Sequence, residues 1–227
     1  MAGVRLLSLD TSSVVSVALL EVSDDAEPVI VSDALGTDTH RHAEDLVPAV
    51  RDALAAAGWE RPDAILVGEG PGPFTGLRVG LASADVLAFA WGVPVFGLCS
   101  LDGLARQLAP AAGGEFIAAL DARRKELYWG RYDATGRPLG GPQVGAVSTL
   151  PAGLPVAGAG VRAREAELSA AGTPVVAGTE DTPVSAAHLA LAWLAAGRPE
   201  HAPVARYLRE SDAVAPASLA PSAGGVK

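Results

Sequence analysis

Gly70-Pro71-Gly72-Pro73-Phe74-Thr75-Gly76-Leu77-Arg78-Val79-Gly80 is the stretch whose reading decides the fold. It follows an apolar, strand-like run, Ala64-Ile65-Leu66-Val67-Gly68, and leads into a long apolar segment ending near Trp91. Glycine reaches backbone angles that other residues resist, and proline fixes φ while donating no hydrogen bond. Gly70, Pro71, Gly72, Phe74 and Thr75 therefore specify a rigid strand-to-helix turn, with Thr75 as the expected N-cap. The amides at such a helix start suit an anion. However, the stretch lacks the Gly-Lys-Ser/Thr ending of a P-loop and the spacing of a dinucleotide fingerprint. Taken alone, it reads better as a structural turn.

The residues after the turn say more. Gly76, Gly80, Ala84 and Ala88 recur at four-residue intervals, so one face of the predicted helix carries almost no side chain. Another backbone can approach such a face closely, from inside the domain or from a partner. We therefore expect a contact helix, with Arg78 either bracing the turn or reaching across an interface.

The bulk composition sets the frame. The 227 residues allow one large domain or two small ones, and 49% hydrophobic against 19% charged residues is enough apolar matter for a proper core. A net charge of −9 argues against a broad electrostatic grip on nucleic acid by this chain alone, though not against nucleic acid held by a basic partner. A single cysteine, Cys99, rules out an internal disulfide framework and suits a reducing compartment. Met1 to Leu7 reads as a first strand and not as a signal peptide. The apolar segment Val79 to Trp91 is interrupted by Ser83 and Asp85 and is too short to span a bilayer. A cytoplasmic chain without membrane contact is expected.

Hydrophobic periodicity predicts the elements in order. Val4 to Leu9, Val14 to Val22 and Val29 to Leu35 read as a three-stranded antiparallel meander. Ala43, Val47, Val50, Leu54 and Ala57 then mark an amphipathic helix closed by Gly58. A strand at Ala64 to Gly68, a helix at Gly76 to Trp91, a strand at Val93 to Leu98 and a helix at Leu101 to Leu108 complete a βββαβαβα order. This is the element order of the actin, Hsp70 and sugar-kinase superfold, which predicts a two-lobed α/β chain whose mixed sheets carry helices. Pro110 to Gly114 looks like a boundary, giving lobes at 1–110 and 111–213 and a disordered tail at 214–227. In the second lobe, strands at Phe116 to Leu120 and Glu126 to Tyr132 flank the charged turn Asp121-Ala122-Arg123-Arg124-Lys125. Its last helix, Ser185 to Ala196, is expected to be able to dock on the first lobe.

Few residues suggest catalysis. Asp10-Thr11-Ser12 follows the first strand, where this superfold places groups near metal-bound phosphate, yet Thr11 stands where an active kinase would carry glycine. An ATPase or small-molecule kinase is one alternative. His40 and His42 motivate another, a metallopeptidase, but they lie before a helix with no third ligand placed by sequence, so no metal site is expected. Cys99 has no base near it in sequence. Arg123, Arg124 and Lys125 read as a solvated turn or as a contact for phosphate or an acidic partner.

Several motifs then converge in order: Leu9-Asp10-Thr11-Ser12, His42, Gly70 to Gly80, Ser100-Leu101, Asp121 to Tyr128, and Pro203-Val204-Ala205-Arg206-Tyr207-Leu208-Arg209. Over residues 1 to about 210 the chain resembles the bacterial TsaB (YeaZ) family of tRNA threonylcarbamoyladenosine biosynthesis proteins. Pro73 stands where that family's turn usually has serine. The resemblance implies a non-catalytic scaffold with no catalytic residue and no required cofactor, ATP or ADP at a partner interface being a weaker implication. It implies binding to a TsaD-like catalytic subunit through the first two helices, beside a TsaE-like ATPase, and a homodimer when alone. It also implies only indirect contact with tRNA. The interface residues expected are Ala43, Val47, Val50, Leu54, Gly76, Arg78, Gly80, Ala84 and Ala88. TsaD-type proteins carry two histidines four residues apart on the first helix; here Leu46 stands four residues after His42.

Overall fold

The computed structural model describes residues 3–38 and 41–209. The proposed tail at 214–227 and His40 lie outside the described residues. The first sheet is built from β1 (Val4–Asp10), β2 (Ser16–Val22), β3 (Val29–Leu35), β4 (Ala64–Gly68) and β5 (Val95–Leu98), in the order β3-β2-β1-β4-β5. β1 to β3 pair antiparallel, while β1–β4 and β4–β5 are parallel. Strands buried on both faces need no polar alternation, and β1 and β4 show this. Leu7, Leu9, Ile65 and Val67 face α1 (His42–Ala57) and α2 (Phe74–Trp91). Leu6, Ala64 and Leu66 face α6 (Ala186–Ala195), which returns from the far end of the chain to cover the opposite side.

The second sheet repeats this plan. β6 (Phe116–Asp121), β7 (Leu127–Tyr132), β8 (Gln143–Gly145) and β9 (Val156–Ala157) run in the order β8-β7-β6-β9. β6–β7 and β7–β8 are antiparallel and β6–β9 is parallel, and a further parallel bridge joins Val156 to Val175. The two-lobed, mixed α/β architecture expected from the sequence is thus present as two topological copies, the second shorter. α3 (Ser100–Ala112) packs Leu101, Leu104 and Leu108 against Phe116, Ala118 and Leu120 of the second sheet, with α4 (Gly160–Ala163) and α5 (Glu165–Ala170) on its other face. The expected boundary at 110 therefore falls inside a helix. Pro110 sits in its last turn, and Gly113 closes it at φ 65°. No helix among the described residues is long and apolar enough to cross a membrane.

Candidate functional site

The end of β1 meets the Gly70–Gly80 turn between the lobes. Asp10 is fully buried there, and its carboxylate is used up by the chain itself. Oδ1 accepts from the Ser12 amide (2.7 Å) and hydroxyl, and Oδ2 accepts from Ser100 Oγ at 2.6 Å. Ser100 Oγ in turn accepts from the Gly70 amide at 3.0 Å. Burial, the largest influence, pushes the Asp10 carboxyl up, against the pull of the Ser100 and Ser12 hydrogen bonds. The end of β1 and the turn are in close contact. A Cβ at Gly72 would stand 2.8 Å from Ser12 Cα, and one at Gly68 would overlap the Asp10 carboxylate. Asp10, Thr11 and Ser12 thus staple the β1–β2 turn to β4, α2 and α3.

The small-residue stripe of α2 is part of the same staple. Gly76, Gly80, Ala84 and Ala88 are all buried inside the first lobe. Thr11 Oγ1 donates to Gly76 O at 2.8 Å, and a Cβ at Gly76 would stand 2.6 Å from Thr11 O. Of the two approaches the stripe allowed, the close neighbour here is the chain's own Thr11. Val50 and Leu54 are buried too, whereas Ala43, Val47 and Arg78 are exposed. The expected N-cap is corrected: α2 begins at Phe74 with Pro73 at the cap and Leu77 N–H bonded to Pro73 O (3.0 Å), so Thr75 lies inside the first turn. Pro73, extended at ψ 132°, takes the cap because its missing N–H costs nothing there. Gly70, at φ 89°, makes the reversal before it.

A second device locks this turn, and sequence reasoning saw only its outline. Glu69, 1% exposed, accepts from Val204 N–H (3.0 Å) and Arg206 Nε (2.8 Å), and His201 Nε2 lies 2.8 Å away. Its carbonyl accepts from Arg206 N–H. Pro203 to Arg209 is therefore a strap laid along the end of β4. Tyr207 packs its ring 5.0 Å from Phe74 and accepts from Arg78 Nε at 3.3 Å, while Arg78 stacks over Phe74. Arg78 braces the turn. Arg209 carries the strap to the other lobe, where it donates to Ala122 O and pairs with Glu126. A buried Glu followed far downstream by a Pro-x-x-Arg run was the available signal, but nothing local paired them.

The β6–β7 turn is unusual in its backbone. Arg123, Arg124 and Lys125 all have positive φ, at 60°, 48° and 63°. Glu126 N–H closes the turn on Arg123 O at 2.8 Å, so Arg124 and Lys125 occupy the central positions that Asn-Gly usually fills in a two-residue hairpin. Each such residue costs roughly 1–2 kcal/mol over glycine. Elsewhere, His42 is buried with Nε2 3.1 Å from Ser13 O, and burial pushes the Cys99 thiol well up, so neither is poised for chemistry. Among the described residues no three His, Cys, Asp or Glu side chains stand close enough to hold a metal.

The outer side of α1 and α2 carries large exposed apolar side chains among charged ones such as Arg51 and Asp85. A groove of about 340 Å³ is lined by Val47, Val50, Leu54, Trp59, Leu87 and Trp91, among others. Along the same helix pair Val47 is 50%, Val86 66% and Phe89 91% exposed. Most large apolar side chains do not stand free in this way, and a cluster of them marks an interaction surface.

Comparison with known proteins adds to this geometry. A family model described as TsaD, tRNA N6-adenosine threonylcarbamoyltransferase, matches residues 37–211. An uncharacterised protein of Mycobacterium tuberculosis is 44% identical over 135 residues, covering 58% of this chain and 62% of that one. The Haemophilus influenzae tRNA threonylcarbamoyladenosine biosynthesis protein TsaB is 37% identical over 133 residues, 57% of this chain and 54% of that protein. The alignments thus span about six tenths or less of these curated relatives. The solved structure of YeaZ from Pseudomonas aeruginosa superposes with a TM-score of 0.67 at 31% identity, covering 86% of this chain and 92% of that one.

Proposed function

This chain belongs to the TsaD, tRNA N6-adenosine threonylcarbamoyltransferase, family, among its TsaB (YeaZ) members, and from that premise we propose that it is a non-catalytic subunit of tRNA threonylcarbamoyladenosine biosynthesis. In this reading a TsaD-like partner transfers threonylcarbamoyl from threonylcarbamoyl-AMP to N6 of the tRNA adenosine 3′ of the anticodon. A TsaE-like ATPase acts with them. The present chain holds the partner in its working state and requires no cofactor of its own.

The observation that carries the reading is the set of exposed apolar side chains on α1 and α2, with Val47 lining the Trp59–Trp91 groove and Val86 and Phe89 exposed on α2. Aromatic anchors next to a pocket are the usual centre of a protein interface. Covering an exposed phenylalanine is worth about 1.5–3 kcal/mol, which gives this face a reason to be occupied. We assign it to the TsaD-like subunit, or to a second copy of the chain when that subunit is absent. The saturated Asp10 carboxylate supports the absence of phosphoryl chemistry at the superfold's usual place. Small residues of α2 contribute by seating the helix deep in the lobe, which turns its opposite side outward. The test is a reconstituted tRNA modification assay with TsaD-like and TsaE-like subunits, run with and without this chain. Full modification in its absence contradicts the proposal.

A further inference from the structure

We propose that the Pro203–Arg209 strap is a latch: seated, it fixes the angle between the two lobes, and lifted, it lets them part while each stays folded. The lobes meet through helices, α3 on the second sheet packing against α6 on the first. Gly103 makes room for that contact, since a Cβ there would stand 2.9 Å from Leu189 Cα. Packed helices can shear and pivot past one another, so this contact alone does not fix the angle. The strap supplies a second, separate attachment.

Its anchor on the first lobe is one buried carboxylate. Among the described residues, the side-chain partners of Glu69 all come from 201–206: Arg206 Nε and His201 Nε2 at 2.8 Å each, and Val204 N–H at 3.0 Å. Gly97 of β5 shapes the seat, because a Cβ there would stand 2.9 Å from Pro203 Cα and overlap Glu69 Oε1. The Arg206 charge also reaches α3. Burial pushes the Asp102 carboxyl up, while the hydrogen bond from Tyr132 of the second sheet (2.9 Å) and the charge of Arg206 pull it down. The anchor on the second lobe is Arg209, which donates to Ala122 O and pairs with Glu126 at 3.3 Å. Ala122 and Glu126 frame Arg123, Arg124 and Lys125, whose positive φ lasts only while the surroundings hold it.

What makes this attachment releasable is its poverty in apolar burial. Val204 is 65% and Tyr207 44% exposed, and the anchors at both ends are polar. Segments with few buried apolar contacts open at low free energy while the rest of a chain stays folded. Lifting the strap exchanges its charge-assisted hydrogen bonds for water and leaves the apolar clusters of both sheets closed. It uncovers Glu69, the Gly97 seat and the Phe74 ring at the start of α2.

The test uses the full chain with spin labels on Asp52→Cys in α1 and Ser169→Cys in α5, both exposed positions, with the buried Cys99 replaced as Cys99→Ala. Pulsed dipolar spectroscopy then reads the distance distribution between the lobes. Arg209→Gln cuts the second-lobe anchor and leaves Glu69 paired. It is expected to broaden the distribution towards longer distances at a nearly unchanged thermal midpoint. Arg206→Met with Arg209→Gln should broaden it further, and should speed hydrogen exchange at the Val204 and Glu126 amides about tenfold or more. If that double variant fails to fold, Arg209→Gln alone decides. A wild-type distance distribution in a variant whose strap exchanges faster overturns the latch and leaves the strap as surface packing. Wild-type exchange at Val204 in the folded double variant overturns it as well, because the named anchors would then not be what holds the strap down.

Discussion

Gly80→Ala is expected to destabilise the chain itself and not to act first on partner binding. A Cβ at position 80 would fall far inside contact distance of Thr11 Oγ1 and 3.4 Å from Thr11 Cβ. Thr11 is 1% exposed and its hydroxyl is bonded to Gly76 O, so it can yield only by giving up that bond. Leaving a buried polar group unpaired costs about 1–3 kcal/mol, and overpacking adds about 1–3 kcal/mol. The better helix propensity of alanine returns about 1 kcal/mol. The net is about 1–5 kcal/mol, and in a chain of this size the middle of that range lowers the melting temperature by roughly 6–12 °C. Circular dichroism melts of wild type, Gly80→Ala, Thr11→Ala and the double variant measure it. Removing the clashing hydroxyl should make the two substitutions cost less together than their sum. A Gly80→Ala chain that melts like wild type while losing its partner would refute the reasoning and place the stripe at the interface.

Other outcomes follow from the same geometry. Glu69→Gln leaves Arg206 without its charge partner. It should cost about 1–3 kcal/mol and speed hydrogen exchange at the Val204 and Arg206 amides; unchanged exchange there would contradict the strap. Asp10 has a folded-state carboxyl raised by burial, so its contribution to stability is present below the ordinary carboxylate value and is lost as pH rises through the raised one. Asp10→Asn should therefore gain on wild type in urea midpoints as pH rises from the ordinary carboxylate value through the raised one, and parallel curves would count against the buried charge. Tyr207→Ala should leave the fold intact but loosen 203–209, seen as faster limited proteolysis of the strap, because it removes the Phe74 stack and the Arg78 bond.

How much was legible depends on whether the cause was local. β3 and β4 match their predicted spans because short β-branched apolar runs bounded by turn residues define them. Gly58 closes α1 in the left-handed conformation as its position promised. Ser185 caps α6 by accepting from the His188 amide. The Thr75 cap was misplaced because two residue types competed for one position, and proline's fixed φ won. The Gly76–Ala88 stripe announced a close approach but could not say by what, since the approaching Thr11 lies 65 residues away in sequence. Its periodicity also drew attention to the buried side of α2, while Val86 and Phe89 on the opposite side passed unremarked. The Arg123–Lys125 turn read as a solvated turn or as a contact for phosphate or an acidic partner, and its backbone strain stayed hidden because no residue type there signals positive φ. The strap was seen as a docking segment, but its buried partner, Glu69, is more than 130 residues upstream. The repeated sheet order was invisible because the second copy's strands are short, down to two residues in β9.

The central claim, that this chain works by presenting the outer face of α1 and α2 to a TsaD-like subunit, is tested most directly by Phe89→Glu combined with Val47→Glu. Both side chains are exposed, so stability should stay within the small range of surface substitutions, about ±0.5 kcal/mol. Titration of the TsaD-like subunit against wild type and variant, by calorimetry, then decides. The account predicts loss of binding at unchanged fold; wild-type affinity in the double variant would contradict it.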